Sequence, residues 1–196
     1  SIAAFVGLRS LTLSGCNKLT PEGLASVAES CHEVRKLSFA GCGECVSDVS
    51  AELLARGMTY LEMADFRDCP HVGRFAMAAL GSSCSNLRRL NVSGCSVGMT
   101  DDAVLALCSS GQFNPPGLES LDLSRCGLVT NLSMSYIADH LQVEFGLDVT
   151  LVTLSLFGTG ISSSGIRAVR DRFRRSTVKK NKSFFGFWPL PRPDDR

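Results

Sequence analysis

The sequence predicts an α/β solenoid, about six coils stacked in a curve with parallel strands on the concave face and helices on the convex face. Two observations predict it. A nine-residue pattern, apolar at its first, fourth and sixth places and closing on a turn, recurs as LRSLTLSGC (residues 8–16), VRKLSFAGC (34–42), MTYLEMADF (58–66), LRRLNVSGC (87–95), LESLDLSRC (118–126) and LVTLSLFGT (151–159). The hydrophobic period also changes, from two residues inside each copy to that of a helix between copies, as a strand followed by a crossover helix to the next parallel strand requires.

Taken in order, the strands are marked by the pairs Leu11/Leu13, Leu37/Phe39, Leu61/Met63, Leu90/Val92, Leu121/Leu123 and Leu154/Leu156, each with one buried face. Helices follow where a hydroxyl cap precedes apolar residues at helical spacing. Thr20 and Pro21 introduce Leu24, Val27 and Ala28; Thr100 introduces Ala103, Val104 and Leu107; Leu132, Tyr136 and Ile137 mark a third. Copy-to-copy spacings of 26, 24, 29, 31 and 33 residues fit or slightly exceed a repeat of about 20 to 29, so the later copies carry insertions. No coil can bury its apolar faces alone, and stability is therefore a property of neighbours.

The chain of 196 residues is 44% hydrophobic and 20% charged, which places it among folded soluble proteins. Its formal net charge of +1 conceals a polarity: residues 1–165 hold ten basic and sixteen acidic side chains, a net −6, and residues 167–182 hold eight basic and one acidic, a net +7. No stretch approaches the roughly 18 apolar residues of a membrane span, and the first residues lack the pattern of a signal peptide. The start SIAAFVG is expected to be the end of a preceding repeat (residues 1–7) in a longer chain. Residues 8–175 are expected to form the repeat domain, and 176–196 a basic, aromatic and proline-rich tail or cap. Nine cysteines, an odd number in a chain with ample Leu, Val and Ile, indicate reduced buried thiols and an intracellular setting, cytoplasm or nucleus.

Cys16, Cys42, Cys95 and Cys126 stand three residues after the last strand apolar residue, and Cys31 and Cys84 three residues before the next copy. Val46 to Asp48 and Met99 to Asp101 open the following helices. On these residues, across about 8–173, the chain resembles the cysteine-containing leucine-rich repeats, from which it departs where Phe66 and Thr159 replace the turn cysteine. The resemblance implies a leucine-rich-repeat solenoid. It also implies company with the F-box leucine-rich-repeat proteins, substrate receptors of cullin-based ubiquitin ligases, and with ciliary proteins such as dynein-regulatory-complex subunits.

No catalytic signature is present, and no cofactor or metal is expected. The cysteines are read as small apolar fillers of each coil's corner. Cys42 and Cys45 have metal-ligand spacing without a partner pair; Cys45 and Cys69 are expected to stack, with His71 near. His32, His71 and His140 fall at helix ends or loops without a Ser, Cys or carboxylate pattern, and Gly158-Thr-Gly160 lacks the remaining residues of a phosphate loop.

What remains is protein binding. Alternation sends Lys36, Tyr60, Glu62, Arg89, Asn91, Asp122 and Phe157 to the concave face among small residues, and Tyr and Arg are enriched in binding hot spots. Tyr60 and Arg89 are the expected anchors. The second candidate is the tail, with Phe184, Phe185, Phe187 and Trp188 ahead of alternating prolines, as a cap over the last coil or as a docking motif. Nucleic acid is disfavoured because no stacking platform or RNA module is present. The expected function is a non-catalytic interaction module, foremost the substrate-recognition part of an F-box-type ubiquitin-ligase adaptor reaching a cullin-adaptor complex through an upstream segment. The alternative is a scaffold subunit of a ciliary or other large assembly, with a ciliary location.

Overall fold

The computed structural model describes residues 7–110, 113–114, 117–140, 151, 153–172 and 177–179. Strands and helices alternate in the order β1 (Ser10–Thr12), α1 (Pro21–Ser30), β2 (Lys36–Ser38), α2 (Asp48–Gly57), β3 (Met63–Asp65), α3 (Arg74–Ser83), β4 (Arg89–Asn91), α4 (Asp101–Ser110), β5 (Ser120–Asp122), α5 (Asn131–His140), β6 (Thr153–Ser155), α6 (Ser163–Arg172) and β7 (Thr177–Lys179). Among the described residues seven strands form one parallel sheet in sequence order, so the connections are crossovers to the next neighbour, as in a solenoid.

Each of α1 to α5 presents the same three-place stripe to the core: Leu24/Val27/Ala28, Ala51/Leu54/Ala55, Met77/Leu80/Gly81, Val104/Leu107/Cys108 and Met134/Ile137/Ala138 are all buried. In these five helices the third place is small, which lets successive helices approach. At Gly57, which ends α2, and at Gly73 and Gly98, ahead of α3 and α4, an added Cβ would stand 2.4 Å from a backbone carbonyl of the neighbouring coil. In α5 the stripe runs through Met134, not Leu132, which is exposed. Leu132 is one residue past the helix start, outside the inward arc.

The third coil departs from the sequence-based register. Leu37 pairs with Ala64 and Ala64 with Leu90, so the third copy of the pattern begins at Leu61 and reads LEMADFRDC. The core place expected to hold Leu61 holds Ala64, Phe66 fills the next, and Cys69 is the turn cysteine that Phe66 seemed to replace. The error has a physical origin. Met58, Leu61 and Met63 satisfy the apolar spacing better than Leu61, Ala64 and Phe66 do, but Ala64 leaves room for the stacked rings of Phe39 and Phe66, whose centroids are 6.2 Å apart and nearly parallel. With the corrected register the coil-to-coil steps are 26, 27, 26, 31 and 33 residues, and the first three coils after β1 are nearly uniform.

The sheet also continues into the segment set aside as tail: Leu154 pairs with Val178 in β7. Aligned on Val178, the first and sixth places of the repeat pattern are Arg175 and Lys180, so the apolar pattern that marks the other strands is missing from the sequence here.

Candidate protein-binding surface

Three features of each coil build the strand face. The residue after the core place of β2 to β6, Ser38, Asp65, Asn91, Asp122 and Ser155 in register across the sheet, is buried although polar. The side chains turn back on their own chain. Asp65 Oδ1 accepts from Arg67 N at 3.0 Å, Asn91 Oδ1 from Ser93 N at 2.9 Å and Asp122 Oδ1 from Ser124 N at 2.9 Å, fixing the turn that ends each strand. Burial pushes the Asp65 carboxyl above its usual range, against the pull of the Arg67 backbone N–H and guanidinium.

The next place in each turn is left-handed. Gly15, Gly41, Gly94 and Gly158 occupy it with φ between 70° and 74°, and the same place holds Asp68 at 58° and Arg125 at 61°. A side chain there costs about 1 to 2 kcal/mol. The two residues pair with each other over the intervening Gly94, Arg125 Nη2 to Asp68 Oδ1 at 2.5 Å, with both side chains about half exposed. An exposed pair returns about 0.2 to 1 kcal/mol, less than the two strains together.

Below each turn the cysteines form a ladder. Cys42, Cys69, Cys95 and Cys126 donate their thiols to the carbonyls of Leu13, Phe39, Phe66 and Val92 in the preceding coil, at 3.1 to 3.2 Å. Burial pushes Cys69 and Cys126 up to about 12 and Cys95 higher still, so these thiols keep the proton they donate. The expectation of apolar fillers missed this donor role. Cys69 thus belongs to the column of Cys42 and Cys95 rather than stacking with Cys45, whose thiol donates to Asn17 O. His71 instead meets Glu44. Among the described residues no group of three or more His, Cys, Asp or Glu is placed to hold a metal.

The nominated residues separate on this scaffold. Lys36, Met63 and Arg89 are register partners on successive strands, with Lys36 and Arg89 partly exposed and Met63 buried between them. Asn91 and Asp122 are the buried turn residues just described. Phe157 is exposed beside Arg125, whose N–H donates to its carbonyl at 2.5 Å. Tyr60 leaves the strand altogether: with the corrected register it lies in the turn before Leu61, 53% exposed. Glu62 precedes β3 and pairs with Arg35 at 2.8 Å, as Glu119 ahead of β5 does with Arg88 at 3.8 Å. Met63, Arg67 and the Asp68–Arg125 pair were missed. The register error hid the first two, and left-handed φ leaves a trace only as the absence of glycine. Phe184, Phe185, Phe187 and Trp188 lie outside the described residues.

Comparison with known proteins agrees with this geometry. The family model described as leucine-rich repeat matches residues 8–28 and 83–108. The DNA repair protein rhp7 of Schizosaccharomyces pombe is 32% identical over 123 residues, 60% of this chain and 21% of that protein. The yeast Rad7 chain, solved as a complex of Rad7 and Elc1, superposes with a TM-score of 0.55 at 18% identity over 75% of this chain and 42% of its own, a likeness of fold. The chain therefore spans about a fifth of the curated relative and less than half of the solved one. No described helix is long and apolar enough to cross a membrane. Repeat pattern, sheet order and family match converge on a leucine-rich-repeat solenoid, an interaction module of that fold.

Proposed function

We propose that this chain is the partner-recognition part of an adaptor of the F-box leucine-rich-repeat type, holding a protein on its strand face while another part of the full-length protein engages a ubiquitin-ligase complex. The observation that carries the protein-binding part is the face itself: Lys36 and Arg89, partly exposed on either side of buried Met63, stand beside buried turn residues that hold the row rigid. The adaptor part is supported by the likeness to rhp7, a DNA repair protein, and to Rad7, solved in complex with Elc1. The cysteine column, which donates as thiols, suits a reducing compartment, cytoplasm or nucleus.

Affinity purification of the full-length protein, wild type and the double variant Lys36→Glu/Arg89→Glu, tests both parts. Wild type is expected to recover a cullin and its adaptor together with a client protein, and the variant to keep the first and lose the second. Recovery of fixed assembly subunits without a cullin would instead make the chain a scaffold. A client retained by the variant would remove the strand face from recognition.

A further inference from the structure

Exposed apolar side chains gather along one edge of the solenoid, away from the strand face. The described strands run parallel and so end at a common edge, where each turn leads into the next helix. Val97 and Leu128 stand six residues past the ends of β4 and β5, and Val49, Phe75 and Leu132 hold the second place of α2, α3 and α5. All five are between 49% and 57% exposed. The backbone beneath them is fixed from coil to coil. Val97 N–H and Gly98 N–H donate to Pro70 O at 3.1 and 2.8 Å, and Asp101 holds the Thr130 and Ser133 N–H groups on either side of Leu132. An apolar row on a rigid edge marks a docking surface.

We propose that this edge is covered by the chain's own segment Phe184 to Trp188, which follows β7 and lies outside the described residues, with its rings seated on Val97, Leu128 and Leu132. Position, reach and chemistry choose this occupant. β7 ends at the same edge, and Phe185 stands six residues past it, the count that brings Val97 and Leu128 to the edge from β4 and β5. From Lys179, the five residues to Phe184 and the nine to Trp188 span at most roughly 18 and 32 Å. β5 and β4 lie two and three strand steps from β7, roughly 10 and 15 Å. Residues 184–188 hold four aromatic side chains, and residues 174–183 ahead of them hold five basic side chains and no acid. The surface they approach is acidic. Outside the strands and their flanks (9–15, 35–41, 62–68, 88–94 and 119–125), residues 8–140 hold three basic and nine acidic side chains, a net −6. Asp102, exposed at the second place of α4, stands on the row between Phe75 and Leu132. Rings thus meet the apolar row while cations run over acids. The same edge of a second copy fits less well, because two acidic surfaces would face each other. A segment seated here leaves the strand face to a partner.

Trp188 is the chain's single tryptophan, so its fluorescence reads the segment directly. In the whole chain its emission is expected to lie to the blue of its position in urea, and acrylamide is expected to quench it several-fold less. The double variant Leu128→Ser/Leu132→Ser changes only exposed places. It should keep the circular dichroism of wild type, move the emission to the red and raise the quenching towards the unfolded value. Val97→Ser serves as a second variant should circular dichroism show the double variant misfolded. Leu53→Ser, exposed on α2 and away from the segment, should leave both readings unchanged. Native emission equal to that in urea overturns the inference, because the segment then covers nothing. Folded edge variants with Trp188 as buried as in wild type overturn it by placing the segment on another surface, such as the open side of the last coil. A shift as large in Leu53→Ser, or emission that reddens on dilution, overturns it as well, the second because a second copy then supplies the cover.

Discussion

Asp101 stands at the start of α4, yet it caps the helix of the next coil. Its Oδ1 accepts from Thr130 N at 2.9 Å and Ser133 N at 3.1 Å, and its Oδ2 from the Thr130 hydroxyl at 2.6 Å. Burial pushes its carboxyl up, but the hydrogen bonds from Ser133 and Thr130 outweigh this and hold it below the usual carboxylate range. A lowered carboxylate contributes stability above its unfolded value of about 3.9, and loses it as pH falls through the lower folded value. Asp101→Ala should therefore cost about 1 to 2 kcal/mol at neutral pH, the upper range for a lost cap, with the difference from wild type fading below about pH 4 in urea melts. Asp65 carries the opposite sign. Its raised carboxyl contributes most when protonated, and that contribution is lost as pH rises. Asp65→Asn keeps the acceptor for Arg67 N, as Asn91 does one strand on, and is expected to be at least as stable as wild type at pH 7, the advantage vanishing in acid; thermal melts at both pH values would show it.

At the scale of the element, the caps run between coils. α3 opens on Gly73, which has no side chain to cap it, and Asp48 of α2 supplies the acceptors for Gly73, Phe75 and Ala76 N–H at 2.9 Å each. Asn131 does the same for Ser162 ahead of α6. The cysteine ladder is the counterpart at the strand turns, and its thiols have no access to reagent. In native protein, iodoacetamide is expected to modify the partly exposed Cys16 and Cys45 well before Cys69, Cys95 or Cys126, and mass spectrometry of the labelled peptides would read the order. Equal labelling across all nine would mean that the coils open readily.

At the scale of the whole molecule, each coil rests on its neighbours, so removing one in register should be tolerated and damaging the shared core should not. Deleting residues 61–86 joins Tyr60 to Leu87, and the new junction repeats a native one; circular dichroism is expected to show a cooperatively melting helical protein. Deleting 58–86 removes the turn of Met58, Thr59 and Tyr60 as well, and should melt at lower temperature. Leu121→Asp puts a charge at a fully buried place between β4 and β6 and is expected to unfold the domain. A variant melting like wild type would mean that the coils are not coupled through this core.

Periodicity alone carried the solenoid, its strand and helix alternation, and most of the core, because burial of one face imposes periods of two and 3.6 on any sequence that folds this way. Lys36 and Arg89 were legible as strand-face residues for that reason. The third coil was not, since Met58 and Met63 mimic the apolar places that pairing with β2 and β4 gives to Leu61 and Ala64. Pairing between coils also decided what the polar residues do. Whether Asp48 caps its own helix or the next, and whether a cysteine fills space or donates a hydrogen bond, depend on which atoms the neighbouring coil brings within about 3 Å. A single repeat's sequence does not contain that distance; the stack sets it.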